Sequence, residues 1–482
     1  MTVRQAHGRP EPVEGRLKTD NCMLSEPVLT GVTAIVGEEF TKRDPASLEL
    51  YGTDALNRTH RPDIVAVPGS RDEVAAIARL CNQHKVPLVV RGGGTGYTGG
   101  AVPTHAGVVL SLERLNQILE IDQVNLLARV QPNVITADLQ DAVERVGLFY
   151  PPDPASLRRS AIGGNIAECA GGPRAFKYGT TKRYVLGLEA VLPTGQVIHT
   201  GSKAVKNVVG YDLTQLLVGS EGTLAIITEA TLRLVPKPPV AATMRVTFDG
   251  IDRAVQAVNG LIEARVVPAA IELVDGDCLA AVAEYLHTPL APHGTGALLL
   301  IEVDGFAGAV VEEAARVEAA CRSAGAAEIL HATTAGERDE LWRVRRELSP
   351  ALTSIAPLKF NHDVVVPRGR VPQLFELVAR LKREYGLRIP CFGHAGDGNI
   401  HVNVMVNPAD TRALSRAREI ERRLFEGVVA LEGSISGEHG IGFSKAPFLG
   451  IELSSVEIAL MKRIKAAFDP NNILNPGKIF PE

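Results

Sequence analysis

Arg91-Gly92-Gly93-Gly94-Thr95-Gly96-Tyr97-Thr98-Gly99-Gly100 follows directly on the apolar run Val86-Pro87-Leu88-Val89-Val90. Six of these ten residues are glycine. That density lets the backbone turn tightly and brings successive N–H groups onto one anion. A diphosphate is the expected ligand, with the hydroxyls of Thr95 and Thr98 as further donors. A Rossmann-type loop would need a helix to open at its last glycine. Here Ala101-Val102-Pro103 follows instead and blocks that geometry.

Two more glycine-rich stretches lie downstream, IGGNIAECAGGPRAFKYGTT over 162–181 and LLVGSEGTLAIIT over 216–228. Their glycines, among them Gly163, Gly164, Gly171, Gly172, Gly179, Gly219 and Gly222, imply repeated close backbone approach to a flat, extended ligand. Pro152-Asp153-Pro154 sets a stiff turn before them. Three such loops in one block point to a cofactor longer than a mononucleotide.

Around the loops, strand and helix alternate. The patterning predicts strands at 63–69, 86–92, 107–112, 126–132, 186–195 and 222–235, and a helix opening at Ser70 with Glu73 completing a capping box. The prolines at 236, 238 and 239 close this block and read as a linker. Beyond them, strands at 243–248, 270–276 and 297–305 alternate with helices at 251–264, 276–286 and 307–325, an α+β pattern of ferredoxin-like, antiparallel type. The charged helix at 410–433 reads as a solvated surface helix with an apolar stripe.

A chain of 482 residues is too long for one core, so two large domains are expected. The net charge of −4 gives no footprint for nucleic acid or an anionic membrane. No run of 18 apolar residues is present to span a bilayer. The six cysteines are scattered and form no CxxC pair, which argues against a zinc knuckle, an iron–sulfur cluster or a disulfide framework. A reducing, cytoplasmic location follows, at most peripheral to a membrane through partner subunits. Residues 1–22 are polar and lack a hydrophobic signal core. The stretch 1–24 therefore reads as a disordered extension, and Met23 is a candidate start.

The motifs RGGGTGYTGG, PPDP, IGGNIAECAGG, GYDLTQLLVGSEGTLAIIT and NILNPGKIF resemble the vanillyl-alcohol-oxidase (PCMH-type) FAD proteins. Within them the chain resembles the branch with an FAD-linked oxidase C-terminal domain, home to glycolate oxidase catalytic subunits, D-lactate dehydrogenases and D-2-hydroxyglutarate dehydrogenases. The resemblance covers about residues 25–482. It implies a PCMH-type FAD-binding domain over 25–238, a substrate cap over 239–454 and a helical C-terminal segment, 455–482, returning to the FAD domain. Cofactor contacts are then expected from Arg91, Gly92, Gly93, Gly94, Thr95, Gly96, Thr98 and Gly99, and from Pro152, Asp153, Gly163, Gly164 and Asn165. Gly171, Gly179, Glu221, Gly222, Ile226 and Asn475 complete the set. Some members attach the flavin through a histidine where this chain has Thr95, so FAD is expected to be non-covalent. Many have asparagine where this chain has Cys169.

A second constellation is Phe392-Gly393-His394-Ala395-Gly396-Asp397-Gly398-Asn399-Ile400-His401-Val402-Asn403. A hairpin or tight loop there would bring His394 and His401 together. Neutral imidazoles suit zinc or manganese, and a carboxylate is wanted beside them. Ser436-Gly437-Glu438-His439-Gly440 offers one. The resemblance implies His394, His401 and Glu438 as metal ligands and His439 as the base. It also implies Arg345 as a bidentate clamp for a substrate carboxylate, with Ser349 adding a hydroxyl and Lys359 a further cation. Asn403 is a further substrate-side candidate.

The chemistry expected is oxidation of a small 2-hydroxy acid, glycolate or D-lactate, with D-2-hydroxyglutarate as the alternative. A metal polarises the hydroxyl oxygen, His439 takes its proton and the α-hydride passes to flavin N5. The acceptor beyond the flavin is open, an iron–sulfur or second flavin subunit among the choices. Two rivals stand beside this reading: non-redox alkyl transfer on the same superfamily fold, and an accessory subunit without catalysis. The accessory reading sits poorly with the presence of all four metal-site residues.

Overall fold

The structure, a computed structural model, describes residues 24–356 and 358–481. The expectations placed on residues 1–23, including the start at Met23, lie outside the described residues. Leu24, assigned above to the extension, packs against the core of the first sheet.

The glycine-loop half holds two main sheets. The first is four-stranded, in the order Thr41–Lys42, Ile64–Ala66, Val108–Ser111, Leu88–Arg91. Its last three strands are parallel, because helix Arg71–His84 carries the chain back over one face. Ser70 caps that helix, accepting from Glu73 N at 3.2 Å, but the Glu73 carboxylate reaches Gly69 N at 2.7 Å rather than the cap itself. The expected capping box is thus only half formed. The second sheet is five-stranded and antiparallel, in the order Ile118–Asp122, Leu127–Val130, Ile226–Arg233, Val185–Val191, Val197–Gly201.

From Val240 a seven-stranded antiparallel sheet begins. Its order is Glu328–Ala332, Val240–Phe248, Ala297–Gly305, Ala270–Asp275, Cys391–His394, Asn399–Val406, Leu358–Val365. The first four strands have the ferredoxin-like order expected from the alternation. Glu328–Ala332 and Leu358–Val365 were not anticipated; the second reads LKFNHDVV, whose polar residues break the apolar pattern. Helices Ile251–Glu263 and Val371–Tyr385 cover one face, and Ala335–Ile355 packs on the other with Phe392 and Met405. Helix Thr411–Ala430 buries Ala413, Ala417, Ile420, Leu424, Phe425 and Val428, so its apolar stripe belongs to the core and only its charged side is solvated.

The chain end returns to the first half. Helix Ser455–Phe468 opens with a full capping box between Ser454 and Glu457. Ile473 and Leu474 then enter the core of the four-stranded sheet, and Leu474 bridges Leu88 in parallel.

Candidate functional site

Strand Leu88–Arg91 delivers the glycine loop to one wall of a cavity of about 1450 Å³. Gly92, Gly93, Gly94, Thr95 and Gly96 line it, together with Asp153, Gly163, Gly164, Asn165, Gly171, Glu221, Gly222 and Ile226. A Cβ on Gly93 would collide with the Arg159 carbonyl, whereas one on Gly164 would meet nothing within 4 Å. The backbone itself is therefore the wall. An extended dinucleotide fits such a volume and such a lining.

The remaining expected cofactor residues sit behind that lining. Arg91 donates through Nη1 to the Thr53 carbonyl at 2.5 Å and braces the loop from below. Thr98 donates to the His439 carbonyl at 3.0 Å, tying the loop to the cap. Gly99, at φ +84°, leaves room for Phe443, and Gly179, at φ +86°, for Arg183. The Pro152 carbonyl accepts from Gln140 Nε2 at 2.9 Å. Asn475 Nδ2 bridges the carbonyls of Gly100 and Glu221, each at 2.8 Å. These six hold the wall in place and do not form its surface. Cys169 occupies the left-handed C-cap of helix Ile162–Glu168, at φ 55° and ψ 46°. Asparagine adopts that conformation at lower cost than most side chains.

The histidine constellation forms on the hairpin joining Cys391–His394 to Asn399–Val406. Its register opposes Phe392 to His401 and His394 to Asn399, and the rings of His394 and His401 lie 5.5 Å apart. Glu438 Oε1 lies 3.4 Å from His394 Nε2, 3.6 Å from His401 Nε2 and 3.9 Å from His439 Nε2. Three imidazole nitrogens thus converge on one carboxylate oxygen. Glu438 and His439 also line the cavity. Gly171 permits this junction, since a Cβ there would stand 2.7 Å from Glu438 Oε2.

Two buried acids organise the cluster, and the sequence reading did not assign them. Glu272 accepts short hydrogen bonds from His394 Nδ1 and Arg345 Nε. Burial raises its carboxyl, but the charges of His394 and Arg345 outweigh this and hold it down at about 2. Burial would lower His394, yet Glu272 and Glu438 hold it well above the usual imidazole range. With Nδ1 directed at Glu272, Nε2 is left for a metal, which would displace a proton on binding. His401, by contrast, is pushed down to about 3 by burial and by His439, so it stands neutral.

Asp363, opposite His401 in the sheet, is the second acid. Its Oδ2 accepts the backbone N–H groups of Gly437, Glu438 and His439 at 3.0, 2.9 and 2.9 Å. Oδ1 accepts from Asn399 Nδ2 at 2.7 Å, and Lys445 Nζ stands 3.8 Å from Oδ2. Burial raises this carboxyl too, but His439, Lys445, His401 and the Glu438 N–H hold it well below the carboxylate range. It therefore anchors the turn that presents Glu438 and His439. The sequence signal for both acids was a charge inside an apolar strand, AIELVD and NHDVVV.

Arg345 lines the cavity with Nε committed to Glu272, its guanidinium 4.7 Å from the Phe392 ring. Its other two nitrogens make no protein hydrogen bond among the described residues. Ser349 also lines the cavity and accepts from Lys359 Nζ at 2.9 Å. Asn403 is fully buried outside the lining, with Nδ2 given to the carbonyls of His401 and Pro390 at 3.0 and 3.3 Å. The structure does not bring it to the cavity.

Residues 237–479 match the family model described as FAD linked oxidases, C-terminal domain, and residues 62–201 match an FAD binding domain. The chain belongs to the FAD-linked oxidases. This FAD-linked oxidase is 42% identical to the glycolate oxidase subunit GlcD of Bacillus subtilis, over 95% of this chain and 97% of that one. It is 35% identical to a D-lactate dehydrogenase of Anaerostipes hadrus, covering 92% and 93% of the two chains. Against a D-2-hydroxyglutarate dehydrogenase of Xanthomonas citri pv. viticola the identity is 36%, over 95% and 98%. Among solved structures, p-cresol methylhydroxylase superposes with a TM-score of 0.78 at 19% identity, covering 94% of this chain and 96% of the other. The expected PCMH-type fold and an FAD-binding domain are thereby borne out for this FAD-linked oxidase.

Proposed function

We propose that the chain oxidises a small 2-hydroxy acid, glycolate or D-lactate, to the 2-oxo acid, with non-covalent FAD and a divalent metal, zinc or manganese. The observation that carries this is the convergence of His394, His401 and His439 on Glu438 at the wall of the FAD cavity. His394, His401 and Glu438 also lie close enough together to share one ion. When bound, FAD supplies the acceptor for the α-hydrogen and its electron pair, and the metal supplies a Lewis acid for the substrate hydroxyl.

The chain's own residues do the rest. Arg345, with two nitrogens uncommitted, holds the substrate carboxylate, and Ser349 adds a hydroxyl that Lys359 orients. His439 accepts the hydroxyl proton. Its ring stacks on Tyr97 at 5.1 Å and its Nδ1 faces Asp363 at 3.9 Å, so the imidazolium gains a buried counter-charge. Thr95 lines the cavity and its side chain cannot form a histidyl link to the flavin, which supports non-covalent FAD. D-2-hydroxyglutarate is the alternative substrate.

Electrons would pass on to a partner carrying an iron–sulfur cluster or a second flavin, in keeping with the name of the Bacillus relative as a subunit. We place the chain in the cytoplasm or at the inner face of a membrane through that partner. No helix among the described residues is long and apolar enough to cross a membrane.

Anaerobic titration of the flavin band with glycolate, each lactate enantiomer and D-2-hydroxyglutarate tests the reading. Bleaching by glycolate or D-lactate, abolished by chelator or by His439→Ala, is expected. No bleaching by any acid while metal is present would overturn it in favour of the non-redox branch.

A further inference from the structure

A carboxyl group that the reaction above does not use stands in the same cavity wall. Glu168 ends helix Ile162–Glu168 and lines the cavity. Its Oε2 is buried without a hydrogen-bond partner. A Cβ on Gly440 would collide with that oxygen, and one on Gly100 would stand 2.6 Å from Oε1. Glu168 is thus wedged between the glycine loop and the turn after His439. Gly171, three residues on, touches Glu438. With His439 as the proton acceptor proposed above, this is the end of the cavity that would take the redox-active ring of FAD.

Glu221 crowds the same point, its Oε1 3.0 Å from the position a Gly440 Cβ would take. The two acids are unequally served. Glu221 accepts the N–H groups of Ile441 and Gly442, each at 2.7 Å, and faces Lys478 and Lys445. Burial raises its carboxyl, but these donors and cations oppose the rise and favour its ionised form. Glu168 has no donor on Oε2, faces the acids Glu221 and Asp54, and has only Lys445 in its favour. Two neighbouring carboxylates, Glu221 buried and Glu168 with its Oε2 buried in the cavity wall, do not both stay charged, and the one without donors keeps the proton. Burial is the largest influence on Glu168 and raises its carboxyl well above the usual range, with Glu221 and Asp54 adding to it.

We propose that Glu168 is a neutral carboxylic acid that faces the redox-active ring of bound FAD and donates a hydrogen bond to it, favouring the reduced flavin. A neutral donor stabilises the more electron-rich form, whereas an anion in its place would oppose reduction. The proposal rests on FAD occupying this cavity with its ring beside His439, and not on which acid is the substrate.

The test is the flavin reduction potential of the holoenzyme, titrated with dithionite, for wild type, Glu168→Gln and Glu168→Ala, with bound FAD counted in each. Glu168→Ala should shift the equilibrium toward oxidised flavin by about tenfold, about 30 mV for this two-electron couple. Glu168→Gln keeps a neutral donor and should stay within about threefold of wild type. An alanine variant within about threefold of wild type would overturn the proposal. So would a glutamine variant about tenfold easier to reduce, since that would mean the native group is ionised. If the alanine variant does not hold FAD, Glu168→Met, which fills the site without a donor, takes its place with the same expected and refuting results. Because dithionite replaces the substrate, failure of every 2-hydroxy acid to bleach the flavin would overturn the substrate reading and leave this measurement intact.

Discussion

Replacing Asp363 by asparagine removes one charge from a fully buried position while leaving its shape almost unchanged. The native Oδ2 receives three backbone N–H groups at 2.9–3.0 Å, Oδ1 receives Asn399 Nδ2 at 2.7 Å, and Lys445 stands 3.8 Å away. In the variant, the amide oxygen can face either the three backbone donors or Asn399. The amide NH₂ must then face the other, donor against donor. Charge-assisted hydrogen bonds are about twice as strong as neutral ones, and an unpaired buried donor costs about 1–3 kcal/mol. Lys445 also loses its nearest counter-charge, and breaking a buried pair typically costs about 3–5 kcal/mol. These contributions overlap, so we expect about 3–5 kcal/mol in total, or roughly 6–20 °C of Tm for a domain of this size. The assay is thermal and urea unfolding of the FAD-loaded protein, followed by metal analysis. The turn carrying Glu438 and His439 should loosen, and metal retention should fall with stability. The native contribution of Asp363 is present above the unfolded carboxyl value, about 3.9, and fades as pH falls below it, so the variant should have a flatter acid limb. A variant within about 1 kcal/mol of wild type that keeps its metal would refute the anchoring role.

Three further outcomes follow from the same geometry. Gly171→Ala places a Cβ 2.7 Å from Glu438 Oε2 and 3.3 Å from its Cβ, so Glu438 must move. Metal sites tolerate about 0.2 Å of ligand displacement, and metal affinity by chelator competition should drop about 10–100-fold with little change in Tm; undiminished affinity would contradict the assigned ligand set. Glu272, held at about 2, contributes stability that is full above about 4.3 and is lost as pH falls toward 2. Unfolding measured from pH 6 to 2 should show that loss, and Glu272→Gln should remove it; an unchanged acid limb in the variant would count against the pairing with His394 and Arg345. Cys169→Asn relaxes a left-handed residue at φ 55° and should raise stability by about 0.5–1 kcal/mol, read by thermal unfolding; a lower Tm would show that the hydrogen bond between Cys169 Sγ and Thr180 Oγ1, 3.4 Å apart, outweighs the backbone preference.

By itself, the sequence determined the elements whose signals are local. Six glycines after a buried strand declare a backbone-built ligand loop, because only glycine permits so close an approach. The alternation after Val240 declares an antiparallel sheet with helices, since side-chain period follows from strand and helix geometry alone. The hairpin bringing His394 to His401 was legible for the same reason, as a turn of glycines between two short apolar runs. What acts across distance was not legible. Arg91 and Asn475 are expected cofactor residues in the text, and only the structure shows that each also ties a loop in place, because which pieces stand behind a wall is set by the fold. Asn403 shares the strand of His401 but is fully buried and outside the cavity lining. Glu272 and Asp363 lie 91 residues apart in the chain and far from Glu438 and His439 in sequence. Only the sheet register sets them beside the histidines. A buried charge must find its partners in space, and sequence spacing does not encode that search.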